Sequence, residues 1–386
     1  MAKVPEQMAW GIEIGNAGLK AMCLRYLEVS GQVIAVAYDY VPHSQFLSQP
    51  GVNSEELIGK SLDTFLSRNR LDNTCIVAGI AGQNSLVKFF SLPPVEKSKV
   101  RDIVKYEART RIPFPLEEMV WDFQTIGPAS EEGEFLLDSE VCLMAMKRDL
   151  IRTHLQPFLD RKMEVDSIQL GSLALQNYLA YDQLALRSNQ SPRKIDQYTV
   201  AIDLGCEFTT MAITNGKTFW MRAFPIGGNH FTLALVKETK LTFERADHLK
   251  CNLKRSADPG AAIQVLRPLL LDLVAEIHRS IGTFSSTNQV TRIGKVICTG
   301  NAARLFGLRR FLEHNLQYDV SLVDRFDSVE GDDVLQSPIF QENILSFPAT
   351  YGLALQGLKQ AFFQTSLLPP EIATARQISR KKPWKT

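Results

Sequence analysis

The sequence predicts an α/β protein with layered sheets, and three observations carry that expectation. Apolar, β-branched segments such as WGIEI, TCIVAGIAG, VCLMAM, YTVAIDL and KVICTG alternate with stretches of helical period. The layout of residues 10–22 returns at 198–212 with a constant offset of 190 positions, 13 to 203 and 15 to 205, the mark of a duplicated fold whose halves face each other. The length of 386 residues exceeds one ordinary core, so two or three compact units are expected.

Taken in order, WGIEI and AMCLRYLEVSGQVIAVAYDYV open the chain as strands, followed by a helix over residues 54–69 with Leu57, Ile58, Leu62, Phe65 and Leu66 on one face. TCIVAGIAG and SLVKFFSL read as strands, and residues 95–111 as a helix with Val100, Ile103, Val104 and Ala108 inward, stopped by IPFP. VCLMAM is a further strand. The polar segment 186–197 reads as the connection between halves. The second half offers YTVAIDL, TMAITNGKTFWMRAFPI and KVICTG as strands, and 262–285 and 348–363 as long helices. From Leu367 onward, two adjacent prolines and five cations (Arg376, Arg380, Lys381, Lys382, Lys385) against Glu371 alone read as a tail outside the core.

Composition excludes several classes. Forty-three basic and 42 acidic residues leave a formal charge of +1, so no global field recruits nucleic acid, and any membrane contact must be local. The six cysteines are scattered without a C-x-x-C pair and read as buried thiols of a reducing compartment. No signal-peptide pattern opens the chain, and no run of about 18 apolar residues occurs. A cytoplasmic protein is the expectation. The six histidines lack metal-ligand spacing and read as surface or core residues.

The candidate chemistry lies in the repeated loops. A strand ending in acid-x-Gly can turn successive amides inward as an anion cradle, because a Cβ at the glycine would obstruct a phosphate. The same pattern is also that of an ordinary hairpin turn. If the loops form a clamp, Glu13 and Asp203 are positioned to share a Mg²⁺ and its waters, with Lys20, Thr209 and Thr210 adding polar reach. KVICTGNAARL reads as a strand entering Thr-Gly-Asn and then a helix, where backbone can pass close to a base or ribose. Gly227 and Gly228 precede a further helix, so either its bare amides meet a phosphate or the glycines serve the turn alone.

In this order WGIEIGNAGLK, AIDLGCEFTT, PIGGNHFT and VICTGNAA resemble the two phosphate elements and the adenosine element of the actin-like ATPases. Within them the resemblance is to the branch of FtsA and PilM. LPPVEKSKVRDIVKYEARTRIPFPLEEMVWDFQTIG (92–127), with Glu107 followed by IPFP, is similar to the signature of the PilM family of type IV pilus assembly proteins. The likeness covers about residues 8–360 and implies two actin-like halves, 8–195 and 196–364, around a nucleotide cleft. It also implies a partner-binding subdomain inserted at about 86–165 of the first half, and leaves 365–386 as the tail.

The resemblance further implies ATP in the cleft, a place on the cytoplasmic face of the inner membrane, and a bound N-terminal PilN-like peptide. By position, Glu13, Gly15, Asn16, Gly18 and Lys20 fall on the first phosphate loop, and Asp203, Gly205, Thr209 and Thr210 on the second. Gly227, Gly228 and Asn229 fall on the turn at the nucleotide, Glu244 and Lys250 on the base-side helix, and Gly300 and Asn301 on the adenosine loop.

Two positions depart from the family pattern: Glu13 stands where aspartate is usual, and Asn301 where a second glycine is usual. Gln169 is the one nearby candidate for positioning a hydrolytic water, the alternative being an ordinary polar residue near a helix start. The expectation is therefore an ATP-binding assembly scaffold with slow turnover at most; the alternatives are a nucleotide-free scaffold of the same fold and a kinase built on it. The Leu-Leu-Pro of the tail also resembles the start of PilN. That suggests self-association through residues 365–386, with Trp384 and its neighbouring cations at a membrane surface.

Overall fold

The structure is a computed structural model that describes residues 7–126, 130–132, 135–137, 139–187, 197–289 and 292–381. Most of the connecting segment 186–197, and the end of the tail with Trp384, lie outside the described residues.

The first half contains β1 (Gln7–Ile14), β2 (Gly18–Leu27), β3 (Gln32–Pro42), α1 (Ser54–Arg68) and β4 (Cys75–Ile80). There follow the inserted elements β5 (Ser85–Ser91), β6 (Val95–Glu96), α2 (Val100–Arg111), β7 (Met119–Ile126), β8 (Ser130–Glu132), β9 (Phe135–Leu137) and β10 (Glu140–Lys147). The chain then completes the first half with α3 (Arg148–Asp160), β11 (Ser167–Leu170) and α4 (Gly171–Tyr178). The second half contains β12 (Tyr198–Leu204), β13 (Thr209–Thr214), β14 (Phe219–Phe224), α5 (Gly228–Thr239), α6 (Phe243–Cys251), α7 (Pro259–Asn288), β15 (Ile293–Thr299), α8 (Leu308–Leu316) and β16 (Val320–Leu322). Last come α9 (Asp332–Leu335), α10 (Pro338–Asn343), α11 (Pro348–Gly357) and α12 (Pro370–Lys381).

The two main sheets have the orders β11-β4-β1-β2-β3 and β16-β15-β12-β13-β14, the same topology in both halves. The correspondence holds to the residue. Glu13 pairs with Lys20 and Ile14 with Leu19 across β1 and β2, as Asp203 pairs with Thr210 and Leu204 with Thr209 across β12 and β13. The 190-residue offset is thus an identity of register.

Alternation explains what each sheet buries. On β1, Trp10 and Ile12 face the core beneath α1 and α3, with the Trp10 and Phe65 rings edge to face at 5.2 Å. Ala9 faces the other way, into the core shared with the second half, and Gly11 lies under α11. On β10, Val141, Leu143 and Ala145 meet α2, while Cys142, Met144 and Met146 join the core of the first half. The inserted sheet, of order β5-β10-β7, is therefore a wall with two apolar faces. It ends at Lys147: α3 packs beside α1 and leads back into the main sheet, so the insertion is shorter than the expected 86–165.

Local periodicity misplaces several other elements. Residues 95–99 form β6 and a short 3₁₀ turn before α2 begins at Val100. The last long helix stops at Gly357 and is followed by Lys359 at φ 58°. Most of all, the segment expected outside the core is partly inside it. Leu367 and Leu368 are buried in the first half, Leu367 N donates to Ile168 O at 2.8 Å, and Arg376 of α12 pairs with Glu164 and with Asp166, the latter at 2.9 Å.

The halves are joined where α4 and α11 cross. α4, which follows the last strand of the first sheet, reaches β13, while α11, late in the second half, lies on β1, β2 and β4. The crossing is possible only because Gly352 has no side chain: a Cβ there would overlap the Ala174 carbonyl oxygen. Gly352→Val should therefore cost at least ~2 kcal/mol of stability, because backbone rather than a flexible side chain must move. A fall in the urea midpoint, against an unchanged midpoint for a substitution at exposed Glu238, is the expected measurement.

Candidate functional site

Between the halves lies a cavity of about 210 Å³. The first loop contributes Glu13, Gly15, Asn16, Ala17, Gly18 and Lys20, and the second Asp203, Gly205, Cys206, Glu207, Phe208 and Thr210. Both loops are closed by the same bond: Gly15 N donates to Gly18 O at 3.0 Å, and Gly205 N to Phe208 O at 3.0 Å. Gly228, Gly300, Asn301 and Ala302 form a further wall, with Gly82, Gln83, Gly171 and Ser172 opposite.

Charge at the cavity floor is balanced around Lys20. Its ammonium lies 2.8 Å from the Glu13 carboxylate, directly across the β1–β2 ladder. Burial alone would lower the lysine pKa, but Glu13, through charge and hydrogen bonding, and Asp203 outweigh it and hold the ammonium above its ordinary value. Asp203 has the opposite problem. Burial pushes its carboxyl up to about 6, Lys20 offsets part of that and Glu13 adds to it. Lys20 thus offsets only part of the cost of burying its charge.

Gly300 fixes the wall that follows β15. Its φ of 81° and the absence of a Cβ, which would stand 2.5 Å from Asp203 Oδ1, both require glycine, and its N–H donates to Leu345 O at 2.7 Å. Asn301 follows in a short 3₁₀ turn, with Ser346 Oγ donating to its side-chain oxygen at 2.8 Å. The helix expected there begins only at Leu308.

Several expected site residues stand elsewhere. Thr209 is fully buried and donates to Ile226 O at 2.6 Å. Gly227 caps α5 behind the second loop. The first amides of that helix are already used, Gly228 N on Gly205 O at 2.9 Å and Asn229 N on Cys206 O at 2.8 Å, so they brace the loop instead of facing the cavity. Lys250 stands behind Gly228, bonded to Asp247 at 2.6 Å, Thr232 at 2.8 Å and the Gly228 carbonyl at 3.2 Å. Glu244 is exposed on α6 and does not line the cavity.

Gln169 is the clearest correction. It belongs to β11, is fully buried, and donates to Gln356 Oε1 and Thr365 O at 3.0 Å each, so its carboxamide is committed to the core.

Other residues of the site had no signal in the sequence. His43 braces the first loop, with Nε2 3.2 Å from Gly15 O and Nδ1 2.8 Å from Ser61 Oγ; burial lowers its pKa. Ser48 and Glu207 meet across the cleft with Oγ donating to Oε1 at 2.7 Å, a pairing over 159 positions that no local pattern reveals.

A duplicated strand-helix unit closing on an interdomain cleft with two facing acid-x-Gly loops defines the actin-like fold. The chain matches the family model of the type IV pilus assembly protein PilM over residues 11–358, and it belongs to that family. Among solved structures it is similar to a PilM–PilN type IV pilus biogenesis complex, with a TM-score of 0.75 at 22% identity over 91% of this chain and 98% of that one. More distant likenesses include the ethanolamine utilization protein EutJ from Carboxydothermus hydrogenoformans, with a TM-score of 0.48 at 15% identity over 91% of this chain and 90% of that one. Another is MreB 5 of Spiroplasma citri bound to AMPPNP, with a TM-score of 0.44 at 11% identity over 92% of this chain and 95% of that one. Among the described residues no helix is long and apolar enough to cross a membrane.

The raised Asp203 pKa has a consequence for stability. A carboxyl bound to its proton more tightly when folded, at about 6 against 3.8 in the unfolded chain, favours folding below pH 4, and that contribution is lost as pH rises through 6. Asp203→Asn should therefore raise the ligand-free melting temperature at pH 7.5 by roughly 2–4 °C, with most of the gain gone at pH 4.5. Melting curves of parent and variant at the two pH values check this.

Proposed function

We propose that the cleft binds Mg-ATP and that the protein is a nucleotide-binding scaffold of a type IV pilus or related secretion assembly. Its place is the cytoplasmic face of the inner membrane, where it holds a PilN-like peptide. The observation that carries the nucleotide reading is the pair of loops in identical register, facing one another across a cavity with an under-neutralised carboxylate.

The donor set suits a hydrated Mg²⁺, which keeps several waters and takes one or two carboxylates. No group of three ligating side chains exists among the described residues, which is compatible with that kind of site. Asp203 is the first candidate to hold the ion, and Glu13, already paired with Lys20, the second. When bound, the ion would neutralise charge on the nucleotide phosphates. Gly15, Gly18 and Gly205 allow backbone to approach the phosphates, Lys20 supplies a cation that stays protonated, and Gly300 lets the adenosine side close over the second loop. With Gln169 in the core, turnover is expected to be slow or absent; Gln83 is the carboxamide on the cavity wall facing the second loop.

A nucleotide-free scaffold is the second reading, favoured by the Glu13–Lys20 pair, in which each charge already has an opposite partner without a ligand. Calorimetry decides between the two. Asp203→Ala should abolish Mg-ATP binding, and equal affinity in variant and parent would end the clamp reading.

For the peptide partner we propose the inserted subdomain, where Phe114 of the IPFP stop is 40% exposed with the Lys147 ammonium 4.3 Å from its ring centroid. Replacing Pro113 and Phe114 together by serine should weaken capture of a PilN-like peptide about tenfold and leave ATP affinity unchanged; loss of both would indicate unfolding. Self-association through 365–386 would require a neighbour to displace the chain's own Leu367 and Leu368. Crosslinking from Leu368→Cys tests it: capture between copies supports exchange, whereas capture only within one chain restricts the tail to its own first half.

A further inference from the structure

The mouth of the cleft is closed by a polar clasp that the nucleotide reading does not use. Glu207, at the tip of the second loop, reaches across to the first half, where its Oε1 accepts from Asn16 Nδ2 at 2.9 Å and from Ser48 Oγ at 2.7 Å. From its own half Asn229 Nδ2 donates to the same oxygen. Asn16 is itself pinned, donating to Ser48 Oγ at 2.8 Å and accepting from Ser48 N at 2.9 Å. Beside the clasp the Phe46 and Phe243 rings meet edge to face at 5.6 Å, again one from each half.

The three partners of the carboxylate are neutral donors. Glu207, Asn16 and both loop backbones line the one cavity. A phosphate between the loops would therefore meet a fixed negative charge, which is unfavourable at low local dielectric. It would also find the side-chain amide of Asn16, which lines the cavity, already occupied, as is the neighbouring Ser48 hydroxyl.

We propose that Glu207 is an anion placeholder and gate: it fills the donors at the loop tips when no phosphate is present, holds the two halves together through Asn16 and Ser48, and must be displaced for a phosphate-bearing ligand to enter. The inference rests on the proposed nucleotide site and adds to it a residue that sets affinity and couples binding to movement of the halves. A displaced Glu207 releases its three donors, Asn16, Ser48 and Asn229, and breaks the link between the loops, so filling the site and loosening the mouth are one event.

The coupling has a signature that a merely structural hydrogen bond lacks: removing the group should improve binding. Glu207→Gln keeps an acceptor of the same shape and removes the charge; Glu207→Ala removes both. Mg-AMPPNP should bind each variant about tenfold more tightly than the parent by calorimetry, the order expected for one relieved like charge. In the ligand-free state, amide exchange over residues 43–48 should be faster in Glu207→Ala than in the parent, and should match the parent carrying Mg-AMPPNP. Binding as weak as the parent's or weaker in both variants, with measurable binding in the parent, overturns the gate while leaving the nucleotide site intact. No binding in any of the three proteins overturns the nucleotide reading and the gate with it, and the exchange comparison then still reports whether the clasp joins the halves.

Discussion

Lys20 is the group on which the cleft depends. Three carboxylates, Glu13, Asp203 and Glu207, line the same cavity, and Lys20 is the one cationic side chain that lines it among the described residues. A buried ammonium ordinarily loses its proton more easily, but two acids in range reverse this and keep it charged. Its register opposite Glu13 fixes the β1–β2 hairpin and with it the first loop. It neutralises Glu13 well and Asp203 only partly, so the second loop retains unspent negative charge. The proposed cation would enter on the side that corresponds to Thr210, the residue standing where the first half has Lys20.

Duplication explains why the charge can be poised between two bodies at all. Each half places its acid at the end of the central strand of a five-stranded sheet. The crossing of α4 and α11 brings the ends of those strands face to face, and close contact at Gly352 leaves that crossing little room to slide. Relative motion of the halves is better accommodated as rotation about the crossing, which would change the separation of the loop tips more than that of the strand ends. On that geometry the contacts most sensitive to motion are the outermost ones, where Asn16, Ser48 and Phe46 meet Glu207 and Phe243.

The legible part of the fold was the local part. The alternating strands, the acid-x-Gly turns and the amphipathic face of α1 are properties of a few neighbouring residues, and the 190-residue offset compares two such stretches. What could not be read depends on partners remote in sequence. Leu367 looks like a tail residue until Ile168 receives its amide, and Phe363 is held by Asn177 across 186 positions, its N–H donating to Oδ1 at 2.7 Å. Gln169 misleads for the same reason: a glutamine between apolar residues shows its polarity in the sequence but not that Thr365 and Gln356 will satisfy it. α3 escapes a local reading although Ile151, Leu155 and Phe158 recur at helical spacing, because Pro157 interrupts the pattern. At the site, the glycines of the two acid-x-Gly loops were legible because each loop states its own backbone requirement, whereas the contacts of Ser48, His43 and Glu207 follow from how the halves close.

The two loops share a register but have diverged in what they carry. Between the bonded ends, the first loop reads Gly-Asn-Ala-Gly and the second Gly-Cys-Glu-Phe. The small residues of the first leave its backbone open to the cavity, and its only long polar group, Asn16, is an uncharged donor and acceptor. The second places an acid opposite that amide and an aromatic ring at the position of Gly18, so it forms a charged lip and a wall instead of a second open cradle. A symmetric pair of glycine-rich loops would offer equivalent approaches to an anion from both sides and no side-chain link between the loop tips. In the asymmetric pair the halves differ in what they do. On the proposed reading, the first loop would offer backbone for recognition, while the second, through Asp203 and Glu207, would make recognition depend on a cation and on opening. On the same proposed reading, that division suits a scaffold that answers a nucleotide by changing shape more than by turnover, because the carboxylate that would oppose a phosphate also joins the loop tips.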